Sequence, residues 1–363
     1  MGRGTGRATQ ADVARLAGVS QATVSLILNG GENGRRRVGE QARQRVLDAI
    51  RLTGYVANPA AQRLAGGRTR IVGVFTYEPV FPRDSRDFYH PFLIGVEAQA
   101  EALGCDLLFF TGTPSPQGGQ RLLGDGSRRL GIADGCVLLG RYDDKRDLAD
   151  LLDRDFPFAF IGRRESTAGP VPYVGADYRT ATREVVERLF ALGHERVGFL
   201  GDLRRDEPSV DRAQGYHQAV RAAGRRPVVL DGTGLTGGEA LDLLGDNGLT
   251  AAVIWPSGLA PAIRVAAQAR GLSVPGDLSL AQLGDAESET PDDVEWTGFR
   301  IPREEMGAAA VRLLYEQLVS ATPLTADALQ RSLPCTVLTG TTAGPPTASA
   351  PGFSSRPPSR SAG

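Results

Sequence analysis

A chain of 363 residues with 41% hydrophobic content has the length of two or three domains and the composition of an ordinary soluble globular protein. No window approaches the ~18 apolar residues of a membrane span, and the basic N-terminus is not followed by an apolar run, so span and signal peptide are excluded and a cytoplasmic location is expected. The formal net charge of −1 conceals an asymmetry: residues 1–70 carry twelve arginines against four acids, a net +8, and the remainder carries 29 basic against 38 acidic residues, a net −9. A basic head on an acidic body fits a polyanionic partner at one end only. Cys105, Cys136 and Cys335 are far apart and read as free thiols; no metal-ligand spacing is present, and neither metal nor cofactor is expected.

In chain order, Met1 to Ala8 is rich in Gly and Arg and is expected to order only on phosphate. Two short helix patterns then flank Gly18. Thr9 is placed to cap the first, with Asp12 at its third position reaching back, and Ser20 to cap the second. Ala14 is the small residue at the crossing, and Val13, Leu16, Val19, Val24 and Leu28 are expected to share one core. This is a helix-turn-helix pattern, with a plain helical hairpin as the alternative. The second helix leaves Gln21, Ala22, Ser25 and Leu26 outward, free to meet a major groove. Thr9, Ser20, Thr23 and Asn29 are expected at the DNA backbone.

Gly30 to Arg37 is a loop in which Arg35, Arg36 and Arg37 could grip phosphates. A third helix is predicted over about Glu40–Thr53, with Val46, Leu47 and Ile50 inward and Gly54 as its stop. Asn58-Pro59 is a helix start and Gly66-Gly67 a stop. The stretch between them is shorter than the ~12–15 residues an isolated helix needs, so it forms only with outside help; a flexible linker is the alternative.

From Ile71 onward, short apolar runs alternate with amphipathic stretches. Strands are predicted at 71–77, 106–111, 135–139, 158–161, 197–201, 227–230, 251–255 and 278–283, with helices at 92–103, 177–192, 210–223 and 260–270. That rhythm implies parallel sheets with right-handed crossovers. Using every strand takes two sheets. Breaks near Pro170–Gly175 and Trp296–Pro302, then a helix over 304–319 and a strand near 333–338, suggest crossovers returning the chain to the first lobe. Thr339 to Gly363 is expected to be a disordered tail with no packing role.

Asp12-Val-Ala-Arg-Leu-Ala-Gly-Val-Ser20, Thr23-Val-Ser25, Leu28-Asn29 and Asn58-Pro-Ala-Ala-Gln-Arg-Leu-Ala-Gly66 resemble the DNA-binding region of the lactose-repressor (LacI) family of bacterial transcription regulators, and a looser likeness extends to about Leu338. The resemblance implies an α/β protein: an all-α headpiece (1–57), a hinge helix (58–69), and a two-lobed core of doubly wound parallel sheets like the periplasmic sugar-binding proteins (70–338). Lobe one would take about 70–172 and 300–338, and lobe two about 173–299. It further implies a homodimer or higher assembly on a near-palindromic double-stranded operator. Asn58, Ala61, Gln62, Leu64 and Ala65 would form the hinge in the minor groove, with Leu64 as the wedge, and a small molecule of unknown identity would bind between the lobes.

Ser209-Val-Asp-Arg-Ala-Gln-Gly-Tyr216 is similar to the segment bearing the family's effector-binding arginine, here Arg212, which could take a hydroxyl pair or a carboxylate. Trp255-Pro256-Ser257 stands where the family has Asn-Asp, and Leu283-Gly-Asp285 where it has Phe-Asp-Asp, so only the second acid, Asp285, remains. Trp255 could stack on a ligand, and Tyr89 and Phe92 are expected on the opposite wall. Family members carry arginine after Thr-Val-Ser; this chain has Leu26, which can meet only a thymine methyl.

Other classes leave weaker marks. Gly232-Thr-Gly-Leu-Thr-Gly-Gly238 matches a dinucleotide fingerprint, but no acid follows at the ribose position and the motif lies deep in the chain. His194, in a Gly-His-Glu-Arg turn before a strand, reads as structural. No nucleophile motif or carboxylate pair is visible. A non-enzymatic regulator is therefore expected, with an enzyme or a binding protein on the same two-lobed fold as the alternative.

Overall fold

The computed structural model describes residues 8–29, 38–56, 68–78, 86–114, 120–123, 127–140, 145–202, 206–256, 258–285 and 294–347. The Gly/Arg-rich start, the Gly30–Arg37 loop with its three arginines, the segment Asn58 to Ala65 and the tail from residue 348 lie outside them. The chain divides into two compact units, one of residues 1–72 with 126–134, the other of 73–125 with 135–363.

In the first unit, helices α1 (Gln10–Ala17), α2 (Gln21–Asn29) and α3 (Glu40–Thr53) enclose a small core of Val13, Val24, Val46, Ala17, Ile27 and Ala49. Val19, Leu28 and Ile50 pack at its margin. Leu16 does not join them and is 54% exposed. At about 100° per residue, Val13, Ala14 and Ala17 define the buried arc of α1, and Leu16 falls about a sixth of a turn outside it. Where the chain enters β1 (Ile71–Thr76), the Asp134 carboxylate accepts the backbone N–H of Thr69 (2.8 Å) and of Arg70 (2.9 Å) and the Thr69 hydroxyl (2.8 Å).

The second unit holds two six-stranded sheets and a short antiparallel pair, β3 (Thr113–Pro114) with β4 (Gln120–Arg121). The first runs β13-β7-β6-β5-β1-β2 and the second β14-β12-β11-β10-β8-β9. The first uses β2 (Asp106–Phe110), β5 (Gly135–Leu139), β6 (Phe158–Ile161), β7 (Tyr173–Ala176) and β13 (Gln330–Leu333); the second uses β8 (Val197–Gly201), β9 (Val228–Asp231), β10 (Ala251–Ile254), β11 (Ser279–Leu283), β12 (Thr297–Arg300) and β14 (Thr336–Thr339). The pairings from β5 to β13, and from β9 to β12, are parallel, and β14 runs antiparallel on β12. Both faces of a parallel sheet need cover, which explains strands such as β5, β8 and β10, buried at every position.

Helices α4 (Arg86–Ala102), α5 (Lys145–Asp153) and α10 (Arg303–Val319) belong to the first lobe. In α4 and α10 the backbones nearly touch: a Cβ at Gly95 would lie 1.9 Å from the Glu304 carbonyl oxygen, and one at Gly307 2.1 Å from that of Phe92. Helices α6 (Tyr178–Ala191) and α7 (Glu207–Ala222) pack together on one face of the second sheet. Helices α8 (Gly237–Asp246) and α9 (Leu259–Ala269) close a separate core with Leu200, Ile254 and Leu280.

Three expectations change. Pro170–Gly175 is not a crossover, because Tyr173–Ala176 is a full strand of the first sheet, paired to both β6 and β13, and the chain crosses after it at Asp177. The prolines before it suggested a loop, yet Pro172 still offers its carbonyl to the Phe160 N–H (2.8 Å). The closing strand near 333–338 is two strands in different sheets, divided at Pro334, which has no N–H to continue the ladder. The tail does not begin at Thr339. Thr342 is buried, its hydroxyl donating to the Leu280 carbonyl (2.7 Å) and accepting from the Thr297 N–H (3.0 Å), and residues 340–347 strap across the second lobe.

Candidate functional site

The headpiece turn is built from its caps. The Thr9 hydroxyl accepts the Asp12 N–H (3.3 Å) and the Asp12 carboxylate accepts the Thr9 N–H (3.0 Å), a reciprocal capping box. These bonds to Thr9 hold the Asp12 carboxyl below its ordinary pKa. Gly18 ends α1 at φ +63°, a left-handed conformation natural to glycine. The Ser20 hydroxyl then accepts the Thr23 N–H (3.1 Å) and bonds the Thr23 hydroxyl (2.8 Å), opening α2. From α3, Arg45 Nε donates to the Ala17 carbonyl (3.1 Å), tying the end of α1 to the third helix.

Gln21 and Ala22 are exposed on α2, Ser25 and Leu26 half-buried, and Val24 and Ile27 buried. The Gln21 amide reaches Gln10 at 3.5 Å. The hydroxyls of Thr9, Ser20 and Thr23 are engaged in capping, as are the backbone N–H groups of Thr9, Asp12 and Thr23. Asn29 ends α2.

A cavity of about 200 Å³ lies between the two lobes. Tyr89 and Phe92 of α4 line it from the first lobe, and Arg212 of α7 and Trp255, which follows β10, from the second. The parallel sheets explain this: side chains at the carboxyl ends of their strands and the starts of the following helices converge on the crevice. Arg212 is wholly buried. Its guanidinium is clamped between two aromatic faces, 3.8 Å from the Tyr178 ring centre and 3.7 Å from that of Trp255. Nε donates to the Leu283 carbonyl (2.8 Å) and Nη1 to that of Pro208 (3.0 Å), leaving Nη2 without a hydrogen-bond partner. Burial pulls its pKa below the usual arginine range, with Tyr178 opposing, and burial raises that of Tyr178. Arginine stays charged nonetheless, so the cavity holds a cation with donor capacity to spare.

The Trp255 indole N–H donates to the Ser209 hydroxyl (3.2 Å), and one ring face is occupied by Arg212, which narrows its expected stacking role. Tyr89 donates its hydroxyl to the Glu78 carboxylate. Asp285 stands apart from the cavity lining. Its carboxylate accepts the Ile301 N–H (3.2 Å) and pairs with Arg303 (3.4 Å) where β12 leads into α10, so it braces a crossover. Burial raises its pKa and Arg303 opposes the rise.

The sequence reading missed Arg164, Tyr178, Asp202 and Asp206, all on the cavity wall. Arg164 is 2% exposed, donates to the Gly140 (2.6 Å) and Arg163 (2.7 Å) carbonyls, and covers the Phe160 ring. Its one signal was the Arg163-Arg164 pair directly after an apolar strand. The Gly232–Gly238 run serves packing. A Cβ at Gly237 would lie 2.2 Å from the Ala262 carbonyl oxygen, and Thr236 and Glu239 cap α8 with their own side chains. His194 is buried, with Nδ1 facing the Thr250 hydroxyl (2.8 Å) and Nε2 donating to the Gly344 carbonyl (2.9 Å). Among the described residues no cluster of potential metal ligands is found, and no helix is long and apolar enough to cross a membrane.

Residues 9–58 match the family of bacterial regulatory proteins named for lacI, residues 79–235 the periplasmic binding proteins and sugar-binding domain of the LacI family, and residues 186–342 a periplasmic-binding-protein-like domain. Catabolite control protein A of Priestia megaterium is 30% identical over 312 residues, covering 84% of this chain and 90% of its own. The HTH-type transcriptional regulator CelR of Thermobifida fusca is 30% identical over 336 residues, 87% and 93% of the two chains. Among solved structures, a CelR–cellobiose complex superposes with a TM-score of 0.60 at 25% identity, covering 93% of this chain and all of the other. A Lac repressor dimer bound to operator and the anti-inducer ONPF gives 0.67 at 20% identity with the same coverage, a likeness of fold.

Proposed function

The chain belongs to the LacI family of bacterial transcription regulators, and we propose from that premise that it is a repressor whose hold on a near-palindromic operator is set by a small molecule bound between its lobes. The observation that carries the reading is one chain bearing both a helix-turn-helix with side-chain caps at both helix starts and an inter-lobe cavity with a buried, partly unpartnered arginine. The protein acts as a homodimer in the cytoplasm, two headpieces meeting successive major-groove half-sites through Gln21, Ala22, Ser25 and Leu26. Arg35, Arg36 and Arg37 grip phosphates, and Asn58, Ala61, Gln62, Leu64 and Ala65 form the paired hinge, with Leu64 wedged in the minor groove.

Arg212 donates from Nη2 to an effector oxygen, with Tyr89 and Phe92 supplying apolar contact. An effector that binds one lobe arrangement more tightly shifts the population towards it, and the operator-binding form follows. No side chain acts as a catalyst in this scheme. The test is to select genomic DNA fragments with the purified protein and then add a panel of sugars and small organic acids. Enrichment of a palindromic site that one compound releases or tightens is the expected result; failure to enrich any sequence would overturn the reading.

A further inference from the structure

Away from the cavity, a second set of charged side chains bridges the lobes. Arg163, just after β6 in the first lobe, directs its guanidinium at α7 of the second. Its Nε donates to Asp211 Oδ2 (2.8 Å) and its Nη2 to Oδ1 (3.1 Å), a two-toothed grip on one carboxylate. Nη1 faces Glu165 of its own segment, and Arg179 of α6 adds a third contact to Asp211 at 3.4 Å. One turn earlier on α7, the Glu207 carboxylate accepts from Lys145 Nζ (3.1 Å) and from the Glu165 N–H (3.3 Å), both first-lobe groups. The Asp211 side chain is only 10% exposed and that of Arg163 24%, so solvent and salt screen this pair less than a surface pair.

Asp211 and Arg212 are neighbours on one rigid helix. The first reaches across to the opposite lobe, and the second turns into the cavity. A ligand held between Arg212 and the first-lobe wall requires α7 in the same place that the Arg163 grip requires it. Two interactions that favour one arrangement of the same bodies are thermodynamically linked.

We propose that Arg163 is a positioning residue of the effector site: through Asp211 it locks α7 of the second lobe to the first, holding Arg212 at the cavity and limiting how often the lobes part. This rests on reading the cavity as the effector site. The lock needs no ligand, so it is testable on the free full-length protein. Only Trp255 and Trp296 are present, and W296F leaves Trp255, stacked on Arg212, as the single fluorescent reporter. In that background R163Q and D211N should each red-shift the emission, raise acrylamide quenching and speed amide exchange in the first turn of α7. The double variant should go no further than either single one. K145Q, at the exposed end of the same network, should shift in the same direction by less, and it serves should R163Q fold poorly. Unchanged emission and exchange in R163Q, or additive effects in the double variant, would overturn the lock. Failure of the regulatory reading would show separately, as absence of sequence-selective DNA binding by the unaltered protein.

Discussion

Three side chains test the proposed operator and effector contacts one residue at a time. Leu26 lies half-buried on α2 and offers no hydrogen bond to a base edge. Leu26→Arg should therefore move the preferred operator at one base pair per half-site, read by selection from a randomised pool; an unchanged preferred site would show that the position does not read the base. Leu64→Ala should reduce operator bending and weaken specific binding, and retained bending in a gel-shift phasing assay would remove the wedge role. Arg212→Lys loses the aromatic clamp and the two carbonyl bonds, and should weaken effector response by on the order of 10- to 100-fold, as expected for a charge-assisted hydrogen bond. Operator binding without effector should persist. The headpiece caps were legible in the sequence because Thr9, Asp12, Gly18 and Ser20 act within a few residues of themselves. Arg164, Tyr178 and Asp202 were not, because they meet only once the strand order is known.

At the level of elements, period and punctuation located most strands and helices of the core, and they failed where backbone pairing overrode residue type. Tyr173–Ala176 reads as loop between prolines and glycines yet is paired on both sides, and Thr297–Arg300, missed entirely, is fixed by partners on β11 and β14. The contact of α4 with α10 was equally hidden, since a glycine within a helix pattern signals weakness rather than close approach. Gly307→Ala should cost about 1–3 kcal/mol, because the added methyl meets the Phe92 carbonyl and neither backbone can yield cheaply. Chemical denaturation would measure it, and a variant as stable as the parent would mean that the helices separate more readily than their packing implies.

For the whole molecule, the chain crosses between lobes after β7, after β12 and between β13 and β14, so lobe motion must be absorbed at three connections. Asp285 and Arg303 brace the second of them. Under the strap at 340–347, burial lowers the pKa of His194 from 6.5, with the Gly344 carbonyl opposing. An unfolded chain takes up that proton more readily than the native one. The stability linked to burying a neutral imidazole is thus full above about pH 6.5 and declines as pH falls towards the lowered native value. His194→Gln should flatten this part of the profile, measured as thermal midpoint against pH; a parallel decline in both proteins would place the effect elsewhere.

The two closing strands impose an order on biosynthesis. The headpiece is completed by residue 56, early in translation, whereas β13 supplies the edge of the first sheet and β14 with its strap that of the second. Neither lobe is whole until residues 330–347 have left the ribosome. A nascent chain therefore displays a folded three-helix headpiece long before it owns finished lobes, and premature termination anywhere in between would release headpieces detached from the cavity.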